Sequence, residues 1–278
     1  MMDPAPLANL SPFPSPVGRA KSRATSFASA RAIIALMLRE MSTRYGRSPG
    51  GYIWAVVEPT AALLVMAFVF SLLIRSPSLG NSFLLFYATG YLPFLLYNLT
   101  IATVMHALNF SRPLLMYPAV TWIDAILARF ILNTLTSLAV SCIVLFGILE
   151  FTDTTAVLEF RYMVTAMAFA ALLGLGHGTF NCALLGLYPV YGHFWSIATR
   201  PLLIGAGVFF LYEDLSPAIQ SILDWTPWIH FTSMFRQGVY PTYAPDFISV
   251  PLLVVWALVP LVFGLLLLRR HRQQILMR

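Results

Sequence analysis

One carboxylate enters an apolar run: Glu58, in GYIWAVVEPTAALLVMAFVFSLLI over residues 51–74. An ionised carboxylate near the centre of a bilayer costs ~2.5–3.5 kcal/mol on insertion scales, so it needs water, a partner or a job. Glu58 lies within two helical turns of the start of the run, close enough to reach the headgroups or a partner. Pro59, next to it, has no N–H to donate and so frees a backbone carbonyl that can share its water. The other groups with chemistry to offer are scattered. His106, His177, His193, His230 and His271 have no ligand spacing and read as local hydrogen-bonding residues, so no metal site is expected. Cys142 and Cys182 both fall in apolar runs and read as small packing residues. The chain has no GxxxxGK[ST] loop and no HExxH, CxxC or GxSxG motif. No pair of outer carboxylates stands out from solvated loop charge. A membrane-bound transferase, the enzymatic reading, therefore has no convincing catalytic pair.

The elements that must position Glu58 follow from composition. Of the 278 residues, 59% are hydrophobic and 10% charged, and the mean hydropathy is +0.77. These values exclude a soluble globular domain and indicate an all-α polytopic membrane protein. A net charge of +6 reports topology in such a chain, not nucleic-acid binding.

Six spans are predicted, at residues 53–74, 83–108, 123–149, 162–187, 191–212 and 250–268, each long enough for a bilayer core of roughly 20 helical residues. An even number puts both termini on one side. All 17 Lys and Arg residues except Arg75, Arg161 and Arg236 then fall on that side, Arg200 included, which makes it cytoplasmic. Before the spans, residues 1–25 carry Pro4, Pro6, Pro12, Pro14 and Pro16 and read as a disordered tail with no secretory signal. Residues 26–48 read as a basic amphipathic interface helix and its exit. Phe27, Ala30, Ile34, Met37, Leu38, Met41 and Tyr45 share one face, turned to the membrane surface, to a partner protein, or to both. Residues 49–278 form the transmembrane domain.

Within that domain, Gly90 and Pro93 predict a kink in the second span, where Tyr87, Tyr91, Phe94 and Tyr97 crowd together. Asn133, Ser137 and Ser141 form a polar stripe on the third span that should face protein or water. Gly174, Gly178, Cys182 and Gly186 form a small-residue stripe on the fourth, for close packing within one subunit or at a dimer seam. The loop 109–124, NFSRPLLMYPAVTWID, is too apolar for open water and must be covered by headgroups or a partner. Ser111 is expected to cap a short helix there, with Pro113 in its first turn and Pro118 at its end. Residues 213–249 are the one large outer segment. Two short helices, over 215–225 and 228–238, carry Trp225, Trp228 and His230 and dip back into the interface.

Together these residues resemble a known family. RYGRSPGGYIWAVVEP, residues 44–59, is similar to the entry segment of ABC-2 type permeases for polysaccharide export. Glu58-Pro59, where the O-antigen permeases commonly have asparagine-proline, favours the capsule branch. Arg112-Pro113 and Tyr117-Pro118 resemble the family's coupling helix. RPLLIGAGVFF (200–210) and TPWIHFTSMFRQGVY (226–240) resemble its fifth span and re-entrant helices. The resemblance covers nearly everything after residue 26.

It implies an inner-membrane permease that moves lipid-linked capsular polysaccharide, as a homodimer with the pore between protomers. ATP and Mg would be bound by a separate ATPase, with no cofactor in this chain. A periplasmic adaptor and outer-membrane export proteins would be further partners. Asn109, Arg112, Pro113, Leu114, Met116, Tyr117 and Pro118 would dock on the ATPase. Trp54, Tyr91, Phe94 and Tyr97 are candidate rings for stacking sugars, with belt or core packing as their plainer use. Glu58 would stand on the same path, and Arg44 and Arg47 at its mouth would receive acidic sugars or lipid phosphate unless they are ordinary topological charge. Trp225, Trp228, His230 and Arg236 are candidates for an outer gate. O-antigen, teichoic acid or a small hydrophobic compound remains the alternative cargo.

Overall fold

Long apolar runs broken only by Gly, Pro and charge can satisfy their backbone in a bilayer only as helices. The computed structural model describes residues 28–45, 51–115, 120–152 and 157–277, and these contain ten helices and no strand. They are α1 (Ala28–Tyr45), α2 (Gly51–Leu73), α3 (Phe83–Met105), α4 (Ala107–Leu115), α5 (Trp122–Phe151), α6 (Phe160–Leu187), α7 (Tyr191–Gly205), α8 (Pro217–Leu223), α9 (Pro227–Gln237) and α10 (Val250–Met277).

The small-residue stripe organises the bundle. α6 lies at its centre, and the stripe packs within the subunit. A Cβ on Gly174 would come 2.7 Å from Thr100 Cβ, and one on Gly178 would come 2.8 Å from Val104 Cβ, both on α3. Gly186 meets Ile275 of α10 in the same way, and Gly264 of α10 lies against the backbone of Phe180. The core between these helices holds Leu85, Phe86, Tyr87, Leu92, Leu96, Tyr97 and Ile101 of α3.

Among the described residues five helices are long and apolar enough to cross a membrane, over Ile53–Leu73, Phe83–Leu115, Trp122–Phe151, Phe160–Leu187 and Val250–Ile275. The expected fifth span at 191–212 takes a different form. α7 has 15 residues, about 22 Å at 1.5 Å per residue, short of a ~30 Å hydrocarbon core. It stops because Gly207 adopts φ +67, the left-handed region that ends helices. The apolar residues that follow, Val208 to Leu211, form a loop that is pinned from α9. Arg200, expected in cytoplasm, stands nine residues into α7.

The short helix before α5 also differs from expectation. α4 begins at Ala107, one residue after α3 breaks at His106, so Pro113 lies inside it and Ser111 is buried mid-helix, not a cap. The N-cap in this region belongs to α5. Thr121 and Asp124 form a reciprocal capping box at its start. α8 and α9 match the two expected outer helices, with Pro217 and Pro227 in their first turns.

α1 packs on α5 through Leu36 and Glu40, which are buried. Ser29 donates a hydrogen bond to Asp124. Ile34 and Leu38 of the expected apolar face stay exposed, so α1 presents one side to the bundle and an apolar side outward, as an interface helix does.

Candidate functional site

Polar residues from three of the spans converge on one cavity. α2 brings Trp54, Ala55, Glu58 and Pro59, α3 brings Tyr91, and α5 brings Asn133, Thr136 and Ser137. It measures about 330 Å³. Glu58 is exposed and lines it, and Pro59 cannot donate to the Ala55 carbonyl four residues back, so that carbonyl lacks its usual helical donor beside the cavity. Asn133 donates from Nδ2 to the Thr100 hydroxyl at 3.1 Å, which holds its amide across the α3–α5 gap. A carboxylate, an amide, hydroxyls and two aromatic rings make a set that hydrogen-bonds and stacks on a polyhydroxylated ligand. Nothing here is arranged for covalent chemistry.

The sequence candidates separate in the structure. Trp54, Glu58 and Tyr91 line this cavity. Phe94 lines a neighbouring one of about 390 Å³, with Tyr91, Asn98 and Arg200. Tyr97 is a correction: it is a buried core ring, packed edge-on to His177 with centroids 5.8 Å apart and to Trp228 at 6.5 Å. Asn133 and Ser137, which read in the sequence as a polar stripe, line the Glu58 cavity as well. Their spacing showed a shared face but not which helix it met. The side chain of Arg44, and the whole of Arg47, lie outside the described residues.

At the end of the bundle where α1 meets α5, Asn109, Arg112, Pro113 and Leu114 sit on α4, while Met116, Tyr117 and Pro118 lie outside the described residues. Asn109 and Pro113 are exposed, and Arg112 and Leu114 half-buried. Phe110 of α4 is the ring on which two cations converge. Arg129 of α5 lies 4.2 Å from its centroid and Arg39 of α1 lies 5.3 Å away. Arg129 also pairs with Glu40 at 3.2 Å and donates to the Thr103 carbonyl at 2.9 Å. The interface helix, the short α4 and the third span are thus joined at one buried charge.

The outer-gate candidates divide similarly. Trp225 is exposed, and Trp228 is half-buried against Tyr97 and Trp256. Arg236 is fully buried and donates to the carbonyls of Phe210 and Val208, both at 3.0 Å, with Phe86 beneath its guanidinium at 4.5 Å. It is a staple that ties the loop after α7 to α9, not a moving gate. His230 is buried as well. Its Nδ1 accepts from the Ser249 N–H at 3.3 Å and its Nε2 lies 3.0 Å from the Asp224 carbonyl. The ring is therefore neutral with its proton on Nε2.

Comparison with known proteins gives one family. The sequence profile of ABC-2 type transporters matches residues 31–240. The chain is similar to the polysialic acid transport protein KpsM of Escherichia coli, 28% identical over 242 residues, 87% of this chain and 94% of that one. It is similar to the capsule polysaccharide export inner-membrane protein BexB of Haemophilus influenzae, 29% identical over 240 residues, 86% and 90% of the two chains. The capsule polysaccharide export inner-membrane protein CtrC of Neisseria meningitidis serogroup B is 26% identical over 235 residues, 84% and 89%.

Proposed function

The chain belongs to the ABC-2 type transporter family, and on that premise we propose that it is the inner-membrane permease of an exporter carrying lipid-linked capsular polysaccharide outward. Three relatives with capsule polysaccharide export or polysialic acid transport in their names align over most of their length and support the cargo class. The observation that carries the reading is the polar cavity inside the spans, where Glu58, Asn133 and Ser137 face two aromatic rings. Sugars offer hydroxyls to such acceptors and donors and C–H faces to such rings.

The work comes from a separate ATPase that binds ATP and Mg, docked on α4 and the segment through residues 116–118. α1 and α5 follow that contact through Glu40 and Arg129. The permease is a homodimer. α2, with most of its described side chains exposed, and α7, with none buried, face the partner copy and the pore. α7 and the apolar stretch after it, Val208 to Leu211, together complete a sixth crossing, so both termini are cytoplasmic, consistent with the cationic asymmetry, and a periplasmic adaptor with outer-membrane proteins receives the polymer.

Deleting the gene in its own host should leave polymer inside the cell and none on the surface, with recovery on complementation. Unchanged surface polymer in the deletion strain would refute the cargo.

A further inference from the structure

Two cavities lie side by side and share Tyr91 and Leu95 as a common wall. One contains Glu58. The other, between α3 and α7, contains Arg200 with Thr199 and Asn98. Arg200 is nine residues along α7, about 14 Å from its start, and Tyr91 and Asn98 are about 12 and 22 Å along α3 at 1.5 Å per residue. With a hydrocarbon core ~30 Å thick, the second cavity spans the middle of the bilayer.

A cation at that depth needs water or an anion. Among the described residues the one ion pair is Arg129 with Glu40, so Arg200 has no carboxylate partner there, although a cavity is open beside it. Both cavities lie at the small end of the ~300–1,000 Å³ range of ligand pockets. One tyrosine, Tyr91, lines both the cavity with the carboxylate and the cavity with the cation.

We propose that the α3–α7 cavity is an anion subsite. Arg200 receives a carboxylate or phosphate of the cargo, Asn98 adds an amide donor, and Tyr91 stacks on the sugar between. The planar guanidinium fits either oxyanion with two parallel hydrogen bonds. The Glu58 cavity on the other side of Tyr91 takes neutral hydroxyls and repels acid groups. The pair therefore favours a polymer whose anionic groups are spaced by neutral ones, or the anionic end of a lipid-linked chain. The proposal rests on the polysaccharide reading above and adds to it the charge of the cargo and the residue that selects it.

The test uses the purified full-length permease in detergent, with tryptophan fluorescence reporting binding of three probes. Trigalacturonate supplies sugar carboxylates, maltotriose is neutral, and dihexanoyl phosphatidylglycerol supplies a lipid phosphate. The wild type should bind at least one anionic probe tenfold or more tightly than maltotriose. Arg200→Gln should remove that preference, and Arg200→Lys should keep most of it. Loss confined to trigalacturonate assigns the anion to a sugar acid, and loss confined to the lipid assigns it to the anchor's phosphate. Leu203→Trp fills the same cavity with the charge left in place and should also weaken the anionic probe tenfold or more. It serves as the second variant if Arg200→Gln does not fold. Unchanged anionic binding in either variant overturns the proposal. A deletion strain that still displays its polymer would refute the polysaccharide reading alone, because the probes report on the subsite directly.

Discussion

The guanidinium of Arg129 lies over the ring of Phe110, 4.2 Å from its centroid, and the same arginine pairs with Glu40 at 3.2 Å. Three helices, α1, α4 and α5, meet at this buried charge. Removing one partner of a buried pair leaves the other uncompensated, at ~3–5 kcal/mol, whereas replacing both with apolar residues is often neutral. Glu40→Gln should therefore lower Tm of the purified permease, and Glu40→Leu with Arg129→Met should recover most of the loss. A double-mutant cycle on Tm gives the coupling directly. Additive losses would mean that the two side chains act separately.

Gly178→Leu should prevent the protomer from folding, not merely its pairing. Even a Cβ added there would come 2.8 Å from Val104 Cβ, and a leucine must push α6 off α3. Detergent-solubilised variant with wild-type size and Tm would contradict this packing.

Arg236→Lys should destabilise the outer helix pair nearly as much as Arg236→Met. A lysine keeps the charge but cannot reach the Val208 and Phe210 carbonyls together as the fork does. Each carbonyl left dry costs ~1–3 kcal/mol. A Lys variant with wild-type Tm would assign the role to charge alone.

His230 makes stability fall in mild acid. It lies outside the five membrane spans, and burial holds its pKa below the usual 6.5, against an opposing pull from Asp224. The folded value is the lower one, so the stabilising contribution is present above pH ~6.5 and is lost as pH falls through the folded value. Protonation would also set a second donor against the Ser249 N–H. Between pH 7.5 and 5, Tm of the wild type should fall more steeply than that of His230→Gln, which should start lower and change less. Parallel profiles would remove His230 as the cause.

Much of this was legible in the sequence, and the exceptions share a cause. Apolar runs located α2, α3, α5, α6 and α10 because burial in lipid is written into composition. The Gly174–Gly186 stripe announces close packing, but its partners, α3 and α10, come only from the fold. α7 was overextended because the residues after Gly207 stay apolar while the backbone turns, and hydropathy does not record φ. Arg236 reads as an outer cation and gate candidate because its carbonyl partners are 28 and 26 residues away. Arg200 was counted as cytoplasmic for the same reason: only the third dimension sets it beside Tyr91. Tyr97, one helical turn from Phe94, passed for a path ring until the packing of α3 on α6 and α9 buried it.

Glu58 is where the transport reading is most exposed to failure. Glu58→Gln keeps size and removes charge, and Glu58→Asp keeps charge with a shorter reach. The measurement is surface polymer per cell in the host, with the amount of membrane-inserted permease determined on the same samples. Glu58→Gln should insert at the wild-type level and export several-fold less, with polymer accumulating inside, while Glu58→Asp should export more than the Gln variant. Wild-type export by Glu58→Gln at equal insertion would contradict a cargo path through this cavity.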